Sequence, residues 1–331
     1  MKSAVRYGSL LQLGHGDALP SVHENRSRWN GWGAGQRALV TGANAGLGYF
    51  TSLALAASGA EVIMACRDQQ RAQRARQSIE QRVPGAKLSI LPLDTSRYDS
   101  VDALATQLAE AELDILIANA GIIHTPRQRQ EDSSGAELVM STNYLGHARL
   151  VGKLAAQFQQ RALRLITVGS MATHILPANP QNMQLHHGYS SYRAYAQSKA
   201  ALQSFGLGLD HRLKLLSWPA RSITVHPGYS LSGLSVTIPG VNEPDFAKRF
   251  IGRLQSGFAQ GKHQGAVPIV EAALNPGLDR TDHGVYIGPR GISKGPAWLV
   301  KPANLTRRKR LLDPVWQMFI EANDGRDPFQ L

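Results

Sequence analysis

Short apolar runs alternate with amphipathic segments along most of the chain. The runs lie at 37–42, 61–66, 87–94, 113–121, 163–170, 221–228 and 284–289. Nearly continuous apolar runs are typical of strands that are covered on both faces. Segments between them, such as 67–83 and 98–112, have the longer apolar period of helices. Because strands that alternate with helices are joined by right-handed crossovers, the pattern predicts an α/β fold with a doubly wound parallel sheet of about seven strands.

The two ends of the chain lack this alternation. Residues 1–35 are polar and glycine-rich, and we predict an irregular N-terminal extension in which Trp29 and Trp32 are candidates for docking. At the other end, 296–331 reads as a tail with a terminal helix, whose apolar face is expected to cover a pocket or a neighbouring subunit. The residues between the two ends, 36–295, are predicted to form one domain.

Composition indicates a globular chain with a sizeable core. Of its 331 residues, 43% are hydrophobic and 18% are charged. No apolar run approaches the roughly 20 residues of a transmembrane helix, and the N-terminus has no apolar core of a secretory signal. The single cysteine, Cys66, excludes an intramolecular disulfide and a cysteine-cluster metal site. We therefore expect a soluble, cytoplasmic protein without a membrane span.

The chain is strongly basic, with a formal net charge of +12. Such a surplus raises affinity for polyanions in general. The basic residues are spread along the chain, with local runs at Arg67–Arg82 and Arg307–Arg310. A nucleic-acid-binding role would also require a recognisable reading motif, and the sequence has none. We interpret the charge as a solvated basic surface and predict no nucleic-acid partner.

A glycine-rich turn follows the first predicted strand and opens the first predicted helix. The segment Thr41–Gly48 reads TGANAGLG, with glycines at 42, 46 and 48. Gly42 allows a tight turn, Gly46 lets the backbone approach a pyrophosphate, and Gly48 lets the helix pack closely on the strand. The unpaired N–H groups of the helix N-terminus then face the anion. The strand–turn–helix context predicts a dinucleotide site, and therefore a single-domain Rossmann fold.

The end of the second predicted strand indicates which dinucleotide binds. An acidic residue there would bond the ribose 2′-hydroxyl of NAD, but this chain has Cys66 followed by Arg67. A guanidinium offers charge and donors to a 2′-phosphate. We therefore predict that NADP(H) is favoured over NAD(H). The alternative is that Arg67 merely opens a solvated basic helix.

Several motifs in one order resemble the short-chain dehydrogenase/reductase family. They are the glycine turn, NAG after the fourth strand, a serine ending the fifth strand, and Tyr-x-x-x-Lys on the following helix. The resemblance covers roughly 36–291. The stretches VIMACRDQQRA, RAYAQSK and HPGYS are similar to the retinol-dehydrogenase-like branch and its soluble microbial relatives. By resemblance, 36–295 is a Rossmann-fold catalytic domain with a substrate loop over 229–265.

The resemblance implies a catalytic set and a cofactor site. The catalytic residues would be Asn143, Ser170, Tyr195 and Lys199, with Tyr195 as the acid/base. The cofactor-binding residues would be Gly42, Asn44, Gly46, Leu47, Gly48, Arg67, Asp94, Thr95, Asn119, Ala120, Gly121, Tyr195, Lys199, Pro227, Gly228 and Ser232. Ser232 stands where the family often has threonine, so the hydroxyl is kept.

The implied chemistry is the interconversion of an alcohol and its ketone or aldehyde. A bound nicotinamide supplies the hydride, and the protein handles the proton. A free tyrosine has a pKa of about 10 and is a poor base at neutral pH. Lys199 lies four residues further along the same helix, so we expect its ammonium to lower the pKa of Tyr195. Ser170 would bond the substrate oxygen. Asn143 would complete a proton relay to Lys199.

The substrate side reads as apolar. An insert over 171–194 and the loop after the sixth strand suggest a lipophilic alcohol or carbonyl as the substrate. His186 and His187 are adjacent, but no acidic or histidine set at ligand spacing supports a metal site, so we predict none. By resemblance, the protein would be a homo-oligomer, either a dimer or a tetramer. The alternative function is an NADPH-binding regulatory or scaffold protein of the same fold without turnover.

Overall fold

The computed structural model describes residues 29–330 apart from 124, 282 and 301–304. Its main sheet has eight strands in the order β10-β9-β6-β5-β4-β1-β2-β3, all parallel except β10. The strands are β1 Arg37–Thr41, β2 Glu61–Cys66, β3 Leu88–Pro92, β4 Ile115–Ala118, β5 Arg164–Val168, β6 Arg221–Val225, β7 Ser230–Leu231, β8 Gln260–Gly261, β9 Tyr286–Pro289 and β10 Ala297–Leu299. The predicted doubly wound Rossmann fold is confirmed.

The α-helices lie on both faces of the sheet. They are α1 Gly46–Ala57, α2 Gln69–Arg82, α3 Tyr98–Gln107, α4 Leu138–Met140, α5 Gly146–Lys153, α6 Ala155–Gln160, α7 Ala172–Ile175, α8 Ser191–Leu215, α9 Phe246–Gln255, α10 Lys262–Gly265, α11 Val267–Leu274 and α12 Leu305–Ala322. Between α4 and α5 the chain winds as a π-helix over Ser141–Leu145. One core layer packs α1, α2 and α11 on the sheet, and the other packs α3, α5, α8 and α12.

The strand count differs from the prediction of about seven. The additional edge strand, β10, has only three residues and pairs antiparallel with β9. A second, two-stranded sheet joins β7 to β8. Strands of two or three residues carry too little periodicity to be recognised, because the alternation signal needs at least four residues. These short strands exist because distant segments meet in the folded chain.

The C-terminal helix α12 is part of the core. Val315 and Phe319 on its apolar face are fully buried. Phe319 packs beside Phe205 of α8, with ring centroids 5.2 Å apart, and Val315 accepts a hydrogen bond from the Tyr144 hydroxyl at 2.7 Å. The prediction that this face covers a pocket or a neighbouring subunit is therefore wrong, because α8 and α5 of the same chain already bury it.

The end of the predicted N-terminal extension docks through one tryptophan. Trp29 is buried, and its indole nitrogen donates to the carboxylate of Glu271 on α11 at 3.1 Å. Trp32 lies at the surface, 39% exposed. Residues 1–28 of the extension lie outside the described residues. The predicted docking thus holds for Trp29 alone.

Candidate active site

The predicted site residues converge at the carboxyl ends of the central parallel strands. The glycine turn follows β1, the Asn119-Ala120-Gly121 segment follows β4, Ser170 follows β5, and Pro227-Gly228 follows β6. Because β6, β5, β4 and β1 are parallel neighbours, their carboxyl ends share one edge of the sheet. The strand order reverses between β4 and β1. A crevice at such a reversal is the usual ligand position in open α/β sheets.

The glycine turn has the backbone that the sequence analysis assigned to it. Gly42 and Gly46 have φ of +68° and +57°, a region that favours glycine. A Cβ on Gly48 would overlap the carbonyl oxygen of Gly42, so only glycine lets α1 approach this closely. The N-cap residue Ala45 makes no side-chain bond to the first turn of α1. The N–H groups of this turn are therefore available to an anion, and the turn fits a dinucleotide pyrophosphate.

The segment after β4 is hydrogen-bonded to the glycine turn. The Asn119 side-chain nitrogen donates to the Thr41 carbonyl oxygen at 2.8 Å. The backbone N–H groups of Asn119 and Ala120 both donate to the Thr41 hydroxyl at 2.9 Å. These bonds hold the ends of two neighbouring strands, β1 and β4, in fixed register. The sequence analysis did not identify Thr41.

Cys66 and Arg67 differ sharply in their surroundings. Cys66 is buried, and burial raises the pKa of its thiol to about 11 although backbone N–H groups of Ala43 and Asn44 in the turn bond to the sulfur. Arg67 is exposed at the carboxyl end of β2. The thiol therefore supports the turn as a neutral group, whereas the Arg67 side chain is exposed to solvent.

Asp94 and Thr95 form the turn after β3. The Asp94 carboxylate accepts hydrogen bonds from the backbone N–H and the hydroxyl of Ser96, at 3.0 and 2.7 Å. Thr95 is buried, and a Cβ on Gly146 would overlap its carbonyl oxygen. This turn is therefore locked against the start of α5, at the edge of the same crevice.

Asn143 lies in the π-helical segment between α4 and α5. Its side-chain oxygen accepts from the Ile122 N–H at 2.8 Å, and its side-chain nitrogen donates to the Ile122 carbonyl at 3.1 Å and to the Ser198 hydroxyl at 2.9 Å. A Cβ on Gly121 would lie 2.9 Å from the Asn143 oxygen and 3.6 Å from Lys199 Nζ. Gly121 therefore leaves space beside both polar groups. Single π-turns inside helices are frequent at functional sites.

Ser170, Tyr195 and Lys199 lie together at the end of β5 and the start of α8. Ser170 bonds to the phenol of Tyr195, which lies on the first turns of α8. Lys199, four residues along the same helix, is buried and donates from Nζ to the Val168 carbonyl at the end of β5, at 2.8 Å. The arrangement places a phenol, a hydroxyl and an ammonium at the mouth of the crevice. The structure thus brings together all four residues of the predicted catalytic set.

The pKa values in this group differ from the expectation for Tyr195. Burial raises the pKa of the Tyr195 phenol, and the hydrogen bond from Ser170 only partly opposes the effect. Burial also lowers the pKa of the Lys199 ammonium to about 8. The expected lowering of the Tyr195 pKa by Lys199 is therefore wrong for this structure. The physical reason is that desolvation penalises both charges, and the Lys199 ammonium is bonded to a backbone carbonyl.

His147 on α5 was not identified from the sequence and links the two halves of the site. Its Nδ1 lies 3.2 Å from the Asn143 carbonyl oxygen, which can only accept, so Nδ1 carries the hydrogen. Its Nε2 lies 2.9 Å from the Thr41 hydroxyl, which also lies 3.1 Å from the Ile117 carbonyl oxygen, so His147 Nε2 and this carbonyl share one hydroxyl hydrogen. Burial, reinforced by repulsion from Lys199, lowers the His147 pKa to about 4, so the ring is neutral. A lone histidine within a helix carries no sequence signal for such a role.

The strand end after β6 completes the crevice. Gly228 has φ of +67°, and the Pro227 carbonyl accepts from the Ser230 hydroxyl and the Gln260 side chain, each at 2.8 Å. Ser232 begins a short 3₁₀ turn immediately beyond β7. Pro227, Gly228 and Ser232 therefore lie on the segment that leads from the sheet edge into the predicted substrate loop.

Lys262 is a third residue near the site that the sequence analysis did not identify. It begins α10, which packs on α1, and its Nζ lies 3.2 Å from the position that a Cβ on Gly46 would occupy. Burial and repulsion from Lys248 lower the pKa of this ammonium. Within the described part of the chain, no acceptor is bonded to it. Its charge is therefore available above the phosphate-facing turn.

Two properties of the described residues bear on other kinds of site. No group of three or more histidine, cysteine, aspartate or glutamate side chains comes together there in a way that could hold a metal ion. None of the helices in the described ranges is both long and apolar enough to cross a bilayer. His186 and His187, considered above as metal ligands, lie in the loop before α8.

Known proteins resemble this chain in sequence and in fold. A family model described as short chain dehydrogenase matches residues 36–238. Polyprenol dehydrogenase of Mus musculus is 34% identical over 283 residues, 83% of this chain and 80% of the relative. Retinol dehydrogenase 11 of Homo sapiens is 32% identical over 283 residues, 84% of each chain. The crystal structure of an uncharacterized protein from Mycobacterium Paratuberculosis superposes with a TM-score of 0.71 at 27% identity, covering 90% of this chain and 96% of that one.

Proposed function

The chain belongs to the short chain dehydrogenase family, in its retinol-dehydrogenase-like branch, and from this membership we propose an NADP(H)-dependent enzyme that interconverts a lipophilic alcohol and its carbonyl. Membership itself means an oxidoreductase that acts on alcohols and carbonyls with a nicotinamide cofactor. The cofactor preference, the acid/base residue and the class of substrate are the proposed parts. The observation that carries the proposal is the Ser170–Tyr195 hydrogen bond at the sheet edge, with Lys199 one helical turn away.

The protein's own residues handle the proton and the developing charge. NADP(H), when bound, supplies or accepts the hydride. In the reductive direction Tyr195 donates its phenolic proton to the substrate oxygen, and its raised pKa keeps this proton in place at neutral pH. Ser170 stabilises the same oxygen through a hydrogen bond. The proton is replaced from the side of Lys199 and Asn143, where Gly121 leaves room.

The cofactor would lie along the edge that the turn and the strand ends form. The N–H groups at the start of α1 would bind the pyrophosphate, and the Lys262 ammonium, which lies beside Gly46, would neutralise part of its charge. The exposed guanidinium of Arg67 would bind the 2′-phosphate. Asp94 and Thr95 would bind the adenine side, and Pro227 and Gly228 the nicotinamide side.

A lipophilic substrate is supported by the substrate side of the crevice. The insert between Ser170 and Tyr195 carries Ile175, which is 59% exposed, on the short helix α7. The two curated relatives described above are named for a polyprenol and for retinol, which are apolar alcohols. These names describe the relatives, and we propose the same chemical class for this chain.

The decisive experiment replaces Tyr195 with phenylalanine. We expect Tyr195→Phe to keep NADPH binding and to reduce turnover of a lipophilic carbonyl by about 10²–10⁴-fold, because the general acid is lost. Tyr192→Phe, on the same helix, is the matched control and should retain turnover. Equal activity of wild type and Tyr195→Phe would refute the assignment. NADPH binding by a wild-type chain that turns over no alcohol or carbonyl would instead support the regulatory or scaffold alternative.

A further inference from the structure

Helix α9 carries a row of large apolar side chains that face solvent. We call Phe246, Phe250, Ile251, Leu254 and the nearby Phe258 the outer stripe. Phe246 is 85% exposed, Leu254 is 70% exposed, and each of the other three is at least half exposed. Phe246 and Phe250 stack on each other, with ring centroids 6.4 Å apart. The outer stripe is therefore one continuous apolar surface.

The orientation of α9 is the reverse of the usual amphipathic helix. Gly252 is its one buried residue among those described, and a Cβ there would lie 3.0 Å from the backbone of Gly233. At 3.6 residues per turn, Gly252 points roughly opposite to the direction between Phe250 and Leu254. The helix thus packs on the protein through a glycine and turns its apolar residues outward. Normally the apolar side faces the core.

This orientation is fixed by specific bonds. The Arg249 guanidinium donates to the carbonyl oxygens of Gly233 and Ser235, at 3.0 and 2.6 Å. The Asp245 carboxylate caps the helix by accepting from the Lys248 N–H at 2.8 Å. The Arg249 bonds hold α9 against the segment that carries Gly233 and Ser235, so the outer stripe stays at the surface. Contiguous exposed apolar surface of this kind marks an interaction site.

Cations lie beside the outer stripe. Arg253 is exposed on α9 next to Leu254, and the ammonium of Lys294 donates to the Ser256 carbonyl directly after the helix, at 2.8 Å. Lys248, four residues before Gly252, lies on the opposite side of the helix. Asp245 and Glu243 are the nearby carboxylates, and Asp245 is already paired with Lys248 at 2.9 Å. The whole chain has a formal net charge of +12. The surface therefore combines apolar side chains with a positive rim.

We propose that the outer stripe docks on an anionic lipid surface. Phenylalanine, isoleucine and leucine side chains insert at the boundary of headgroups and acyl chains, and lysine and arginine beside them attract acidic headgroups. A second copy of this basic chain would instead bring like charges together across the stripe. An anionic bilayer complements both the apolar row and the cationic rim.

Docking would place the proposed active site next to the bilayer. The short sheet of β7 and β8 connects the Pro227-Gly228 strand end to the segment that carries α9. A lipophilic alcohol is concentrated in a bilayer, so it could enter the crevice without crossing water. The entry of a lipophilic alcohol from the bilayer rests on the proposed function, whereas the docking of the outer stripe does not.

The test is co-sedimentation of the full chain with lipid vesicles. We compare vesicles of phosphatidylcholine with vesicles that also contain phosphatidylserine. Wild-type protein should sediment with the anionic vesicles and should be released by high salt. Leu254→Ser should weaken binding by about five- to tenfold, because one apolar contact is lost, and Arg253→Ser by about fivefold, because one cation is lost.

A matched surface leucine provides the control. Leu215 at the end of α8 is 55% exposed and lies outside the stripe, so Leu215→Ser should bind vesicles like the wild type. All variants should share the thermal unfolding midpoint of the wild type, since these side chains are exposed. The proposal is overturned if the wild type stays in the supernatant, or if both leucine variants lose binding equally. It is also overturned if, without lipid, only Leu254→Ser dissociates an oligomer, which would make the stripe a contact between copies.

Discussion

Removing the Lys262 charge gives the most specific test of the proposed cofactor site. Its ammonium lies above the phosphate-facing turn, 3.2 Å from the Cβ position of Gly46, and it has no acceptor within the described residues. Two unit charges about 4 Å apart attract by about 4 kcal/mol at an effective dielectric constant of about 20. Measured charge-assisted hydrogen bonds contribute less, about 1.5–3 kcal/mol, because water competes.

We expect Lys262→Met to weaken cofactor binding by about 2–3 kcal/mol, which raises Kd by about 30- to 150-fold. We expect a value in the upper part of the range of about 1.5–3 kcal/mol, because burial already desolvates the Lys262 ammonium in the unliganded protein. Cofactor binding therefore does not have to remove it from water. The pyrophosphate is common to NADPH and NADH, so both Kd values should rise by the same factor. Calorimetric titration with each cofactor measures this directly and needs no turnover.

A second readout uses the unliganded protein. The pKa of Lys262 is lower in the folded chain than in the unfolded chain. At a pH below the folded-state pKa, the desolvated charge of Lys262 therefore lowers the free energy of unfolding. This destabilisation disappears as the pH rises towards the pKa of an unfolded lysine. Lys262→Met should therefore raise the unfolding midpoint of the unliganded chain at pH 7.

Lys214→Met is the matched control for both measurements. Lys214 is exposed in the last turn of α8, at the opposite end of the helix from Tyr195, so its loss should change Kd by less than about threefold. Equal effects of the two lysine variants on cofactor affinity would refute the assignment of Lys262 to the pyrophosphate.

Three other changes test separate parts of the site. Arg67→Asp should raise the Kd of NADPH by more than about tenfold and leave that of NADH nearly unchanged, whereas Arg74→Asp on the following helix α2 should alter neither. Unchanged NADPH preference in Arg67→Asp would show that Arg67 only precedes a solvated helix. Carbonyl reduction should fall as pH rises above about 8, because burial lowers the pKa of Lys199 to about that value. Lys199→Arg should extend the active range to higher pH, since arginine stays protonated. Identical pH profiles of activity in the wild type and Lys199→Arg would show that this ammonium takes no part in the proton relay. Gly48→Ala should destabilise the fold by about 1–3 kcal/mol, because the added methyl group would overlap the Gly42 carbonyl oxygen. Gly257→Ala is the control: Gly257 has open space around it, so this change should alter the free energy of unfolding by less than about 0.5 kcal/mol. Chemical denaturation measures both values.

The sequence was most informative where one local pattern carries a structural requirement. The three glycines of TGANAGLG predicted a turn that the structure has, because positive φ and close helix packing both exclude a side chain at these positions. Parallel strands with right-handed crossovers align their carboxyl ends, which is why Ser170, after β5, lies at the same sheet edge as the glycine turn after β1. The family and its branch were recognised from the same motifs, and the similarity to known dehydrogenases confirms them.

Local patterns were weakest where the deciding contacts are distant in sequence. Lys262 is 216 positions from Gly46, and nothing in its own neighbourhood indicates that its ammonium faces the turn. His147 reads as an ordinary helical residue until Thr41 and Asn143 are brought to its two nitrogens. The direction of the Tyr195 pKa was predicted wrongly for the same reason, because burial is a property of the assembled core.

By itself, the sequence determined the doubly wound fold, the family and the identities of Tyr195, Lys199 and Ser170 as candidates for the chemistry. The fold follows from short-range periodicity, which the chain carries in every conformation. The family and the three candidates follow from the resemblance of the motifs to known dehydrogenases. Only the tertiary structure decided which charges are desolvated, which distant cation covers the phosphate turn, and that α9 faces outward with its apolar side. Those properties depend on the dielectric surroundings and on contacts between remote segments, and both arise only when the chain has packed.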